Sequence, residues 1–101
     1  MKITRWRADR KPTQAEVESV FKDEGLEFQI EDGAPGSEVK EHKHPFDEVR
    51  VVISGAMRFN VAGNEFILRE GDRLELPSNT RHWTKAEPGG HCVSLFARRV
   101  F

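Results

Sequence analysis

The chain has 101 residues, 37% hydrophobic and 33% charged, which fits one domain over 1–101 with a single modest core. The balance of 16 Lys+Arg against 17 Asp+Glu argues against a nucleic-acid binder, and no apolar run approaches the roughly 18 residues of a membrane span. The opening Met1-Lys2-Ile3-Thr4-Arg5-Trp6 lacks the apolar stretch of a secretory leader, and the lone Cys92 fits the reducing cytoplasm.

The first element is a helix over Gln14–Glu24. Thr13 and Glu16 have the spacing of a capping box, and Val17, Val20 and Phe21 fall on one helical stripe. Gly25 fits the left-handed position beyond the helix end, with apolar Leu26 after it. The character then changes to short runs rich in Val, Ile and Phe, punctuated by Gly, Pro, Asn and Asp. These predict strands at Glu27–Ile30, Val39–His44, Glu48–Ser54, Met57–Val61, Glu65–Leu68, Arg73–Leu76, Arg81–Lys85 and Cys92–Arg98. Ala62-Gly63-Asn64 reads as a hairpin, Gly71-Asp72 as a turn and Glu87-Pro88-Gly89-Gly90 as a loop. Many short strands at close spacing predict an all-β sandwich or barrel over about 27–98, with one short N-terminal helix.

Four histidines are present, His42, His44, His82 and His91. His42 and His44 share one face of a strand, because side chains alternate with period two. Glu48 lies beyond a Pro45-Phe46-Asp47 turn that folds the next strand back toward the pair. Two imidazoles and a carboxylate converging on one point suit a divalent metal. His82, in a later strand, is a candidate to complete the set. His91 follows Gly89-Gly90 and reads as a surface residue, and Cys92 reads as a small buried hydrophobe rather than a nucleophile.

The spacing around these residues resembles a known family. Gly36, five residues, His42, one residue, His44, three residues, Glu48, six residues and Gly55 match the first signature of the cupins. Gly71, five residues, Pro77 and then His82 resemble the second, with a short gap from Ala56 to Glu70 as in small single-domain cupins. With 8 Gly and 4 His in the chain, chance gives the first signature with a probability on the order of 10⁻⁴. Asn79 stands where a Gly is usual and Ala86 where an Asn is usual; Asn tolerates left-handed backbone angles, so the turn at Asn79 should survive. The resemblance implies a double-stranded β-helix, or jelly-roll barrel, around one divalent metal ion (iron, manganese, zinc or nickel) held by His42, His44, Glu48 and His82. Three neutral imidazoles and one carboxylate leave an octahedral ion two open positions for water, substrate or dioxygen.

Strand parity extends the reading. Arg50, Val52 and Ser54 share the face of Glu48, and Lys40 shares that of His42. Two cations beside an open metal suggest an anionic ligand, with Arg50 gripping a carboxylate through two hydrogen bonds, so Arg50 and Lys40 are the candidate catalytic residues; the alternative is that Arg50 neutralises Glu48 or another buried acid, or that a bulge turns it outward. Val49, Val51 and Ile53 then face outward and must be covered, by the Val17/Val20/Phe21 face of the helix or by a second subunit. The resemblance points to a homodimer. Met57, Phe59, Val61, Phe66, Leu74, Leu76 and Phe96 are interior candidates; Phe28, Phe46 and Trp83 are candidates for the pocket mouth; Arg98-Arg99 reads as a solvated tail.

Two functions fit. One is a metal-dependent enzyme of oxygenase, isomerase or lyase type, acting on a small oxygenated or carboxylated molecule. The other is a non-catalytic module that binds or senses a small ligand. The chain has no Tyr and no histidine to spare except His91, so proton-transfer groups are few.

Overall fold

The computed structural model describes residues 1–99. It is mostly strand. In chain order the elements are β1 (Lys2–Thr4), α1 (Gln14–Asp23), β2 (Phe28–Gly33), β3 (Glu38–His42), β4 (Asp47–Ser54), β5 (Met57–Val61), β6 (Asn64–Leu68), β7 (Arg73–Leu76), β8 (His82–Ala86) and β9 (Cys92–Arg99). The strands form two antiparallel sheets, one of order β1-β7-β4-β9-β2 and one of order β3-β8-β5-β6.

The helix forms where its cap dictates. The Glu16 N–H donates to the Thr13 hydroxyl at 3.2 Å, and the Thr13 N–H donates to the Glu16 carboxylate at 2.6 Å. Two orphan donors of the first turn are thereby satisfied. Gly25 takes φ +71° just past the helix end. Between β5 and β6, Ala62 and Gly63 both take positive φ, the two-residue turn whose twist suits a tight hairpin.

The sheets enclose the main core, which includes Val52, Met57, Phe59, Val61, Leu68, Leu74 and Leu76, with Phe66 packed against it. Each fully buried Leu or Phe contributes roughly 1.5–3 kcal/mol relative to an exposed one. A second cluster lies on the outer face of the larger sheet, where Val17, Phe21 and Leu26 cover Val49, Val51, Leu95 and Ala97, with Ile53 packed at its edge. The aliphatic stripe of β4 is therefore covered by the helix of the same chain. Val20 stays 46% exposed and takes no part.

The N-terminal segment is tied down by Asp72, whose carboxylate accepts from the Trp6 N–H at 2.9 Å and from Arg5 Nη1 at 2.7 Å. This contact adds β1 to the edge of β7, a strand that the sequence pattern does not reveal. Among the described residues, no helix is long and apolar enough to cross a membrane.

Candidate metal centre

The site lies between the two sheets, where four polar side chains meet. His42 is the last residue of β3 and His82 the first of β8, directly opposite each other in register. His44 sits in the connection from β3 to β4. Glu48 comes from β4, which belongs to the other sheet. The β3–β4 turn thus carries the chain from one sheet to the next, and Glu48 reaches the histidines across the barrel interior rather than along a hairpin. Two bonds hold the site loops together: the Asn79 N–H donates to the His44 carbonyl at 2.8 Å, and the Ser78 N–H to Asp47 Oδ1 at 2.9 Å. Asn79 takes φ +60°, so the turn survives without a glycine.

The ring nitrogens of His42, His44 and His82 gather within 4.8 Å of one another. His82 and Glu48 are buried, at 1% and 2% exposure; His42 and His44 are half-buried. Glu48 Oε1 lies 3.2 Å from His44 Nε2 and 3.8 Å from His82 Nε2. Each imidazole has its Nδ1 against a backbone carbonyl: His42 to Lys40 at 2.8 Å, His82 to Thr80 at 2.8 Å and His44 to Phe46 at 3.3 Å. A carbonyl only accepts, so these contacts assign the proton to Nδ1 and leave the three Nε2 lone pairs for a metal. Burial pushes His82 below its ordinary pKa, in favour of the neutral, ligating form. A lone pair on His44 Nε2 facing a carboxylate oxygen is stable only with a proton or a cation between them. The donor set fits a divalent metal on this ground.

Leu76 is the register partner of Glu48, and Val61 that of His82. Together with the Phe59 ring, stacked 6.2 Å from His82, they form an apolar floor. On the other side, the Phe46 ring stacks on His44 at 4.1 Å and contacts Phe96 edge-on at 6.3 Å. Beside these rings opens a cavity of about 430 Å³ lined by Glu27, Phe28, Gln29, Phe96 and Arg98.

Arg50 faces the interior as parity requires, but its donors are already engaged. Nε donates to Glu48 Oε2 at 2.8 Å, Nη1 to Ser94 Oγ at 2.7 Å and Nη2 to Glu31 Oε2 at 2.9 Å. Burial works against its charge, yet Glu48 and Glu31 outweigh burial and raise its pKa. Lys40 does not share the inward face of His42. The register between β3 and β8 slips by one residue between Val39 and His42, which breaks the alternation, and Lys40 is exposed.

Of the aromatic candidates, Phe46 stands at the site, Phe28 lines the cavity and turns its ring against Phe21 under the helix, and Trp83 alternates with buried His82 and Thr84 onto the outer face of β8. His91 is exposed beside Asp32 at 2.8 Å, and Cys92 is buried, its thiol pushed up to about 11 by burial. Arg98 is the residue that sequence reasoning missed. The strand period continued through Cys92–Arg98 could have placed it on the face of Phe96.

The chain is 38% identical over 64 residues to an acireductone dioxygenase from Methylococcus capsulatus, covering 57% of this chain and 34% of that protein. It is 39% identical over 67 residues to one from Bacillus licheniformis, covering 61% and 36%. The matches span about a third of each relative's length. A cupin superfamily protein from Desulfitobacterium hafniense shares the fold, with a TM-score of 0.68 at 17% identity over 75% of this chain and 68% of that one. A family model described as a cupin domain matches residues 29–96, and the chain belongs to that family.

Proposed function

We propose that this cupin is a metal-dependent enzyme that binds one divalent ion through His42, His44, Glu48 and His82. Its substrate is a small oxygenated or carboxylated molecule, and oxygenase chemistry is the best-supported class. The observation that supports the reading most is three imidazoles within 4.8 Å, each with Nδ1 against a carbonyl, beside a buried carboxylate. The likeness to acireductone dioxygenases favours oxygenase over isomerase or lyase chemistry.

A divalent ion held there supplies Lewis acidity and, when it is iron, a means of activating dioxygen. The chain does the rest. The carbonyls of Lys40, Phe46 and Thr80 hold the imidazole tautomers. Arg50 orients Glu48 by taking one carboxylate oxygen and leaving the other toward the histidines. Phe46, Phe96 and the apolar floor limit water around the reacting atoms. Oxygen uptake by iron-loaded protein, with enediols and 2-oxo acids as substrates, tests the class. Uptake that requires both iron and substrate supports it; a fully loaded protein that consumes no oxygen with any of them contradicts it.

The second reading is a non-catalytic ligand-binding barrel. The engaged state of Arg50 and the absence of a free histidine at the site favour it. Ligand binding without turnover by the loaded protein would select it. Since the helix covers the β4 stripe, the homodimer we propose rests on the exposed edge strands β2 and β3, where Ile30 and Val39 are each 52% exposed. A monomer mass by light scattering at micromolar concentration would dismiss it.

A further inference from the structure

We infer that Arg98 receives the anionic group of this protein's ligand, in the cavity it lines with Gln29 and Phe96. The inference deepens the reading of the site as a small-molecule centre and rests on it.

Four cations are candidates for this role, and the structure separates them. Arg50 has Nε, Nη1 and Nη2 all donating to protein oxygens. Lys40 is exposed beyond a slipped register. Arg99 lies against Glu75 at 3.2 Å and Glu24 at 3.6 Å. Arg98, one residue earlier on β9, has the opposite parity. It is the register partner of Glu48, as Phe96 is of Arg50, so its side chain leaves the sheet on the same face as Glu48. Among the described residues it forms no ion pair. Its guanidinium carbon lies 4.8 Å from the centre of the Phe46 ring, the same ring that stacks on His44 at 4.1 Å. One aromatic ring therefore links the free cation to the site.

The stacking matters chemically. A guanidinium resting on an aromatic ring loses rotational freedom, yet its in-plane N–H edge remains available for two parallel hydrogen bonds to a carboxylate. Arg98 lines the cavity of about 430 Å³ with Gln29, whose amide adds neutral donors and an acceptor, and with Phe96. Arg98 and the Gln29 amide N–H groups both attract negative charge. Glu27 is the acidic residue among the cavity's lining, and it opposes them. The ligand class is thus a small carboxylate or related oxyanion, with its charged end on Arg98.

Calorimetric titration of succinate into zinc-loaded and metal-free protein tests this. Wild type is expected to bind, Arg98→Met to bind at least about tenfold more weakly with unchanged zinc content, and Arg98→Lys to fall between. Glu27→Gln should bind as tightly as wild type or more so. Neutral succinamide should not distinguish wild type from Arg98→Met. Equal succinate affinity in wild type and Arg98→Met at equal zinc content would overturn the inference while leaving the metal site standing. Wild type that does not bind succinate at millimolar concentration would overturn it too. Zinc content reports on the metal reading separately; if zinc fails to bind, the metal-free titration still decides the role of Arg98.

Discussion

Replacing Arg50 by Met tests how the site is held. Arg50 and Glu48 are nearly closed to solvent, with side-chain exposures of 7% and 3%, and their atoms meet at 2.8 Å. Glu31, the other acidic partner, is 46% exposed, so that pair is worth about 1 kcal/mol or less. The main loss is therefore the isolation of a buried Glu48 carboxylate, which costs about 3–5 kcal/mol when its partner is removed. Against a total stability of about 5–15 kcal/mol this is large, but not certain to unfold the chain. Glu48→Gln alone should cost less, about 1.5–3 kcal/mol, because Arg50 keeps Glu31 and Ser94. The double variant Glu48→Gln/Arg50→Met removes both charges, and its cost should fall below the sum of the singles by about 2 kcal/mol or more. Urea unfolding of the four metal-free proteins measures this coupling. Adding zinc should stabilise Arg50→Met more than wild type, because the ion then supplies the missing positive charge. Additive costs, or an Arg50→Met protein within 1 kcal/mol of wild type, would refute the assignment of Arg50 as the group that holds Glu48.

Other expectations follow from local chemistry. His82 titrates below its ordinary value of 6.5, because burial outweighs the Thr80 carbonyl and Glu48, which act in the opposite direction. Below that pH the unfolded chain takes up the proton more readily, so metal-free stability should hold above about pH 6.5 and fall as pH drops; His82→Gln should flatten the decline. Cys92, buried and pushed up to about 11, should resist thiol reagents at pH 8 until urea unfolds the chain; rapid labelling of native protein would contradict its placement. Thr13→Ala removes the cap of α1 and should cost about 1 kcal/mol by thermal unfolding, and Thr13→Ser should restore most of it.

Much of this arrangement can be read from residue order. Thr13, Glu16 and Gly25 bracket the helix within a residue of its observed end, because caps are local chemistry. Alternation correctly places Arg50 beside Glu48 and Val49 and Val51 under the helix. It fails at Lys40, where one extra residue in β3 reverses the faces, and nothing in Val39–His42 marks a bulge. It also fails to reveal β1, whose three residues depend on Asp72, distant in sequence, for their place. Neutralisation of Glu48 by Arg50 is legible as an alternative, but the other partners of Arg50 are not, for the same reason. Glu31 and Ser94 arrive from β2 and β9, and only the sheet register brings them to the guanidinium. Arg98 reads as a tail although the predicted strand Cys92–Arg98 already contains it, because only the register with β4 sets it opposite Glu48.

The most direct test of the central claim is the metal content of protein purified without a chelating tag, beside His42→Ala and His82→Ala variants of matched folding. The account predicts close to one divalent ion per chain in the wild type and loss of it in both variants. A folded wild type that holds no metal, even after iron, manganese, zinc and nickel are added back in turn, would contradict it.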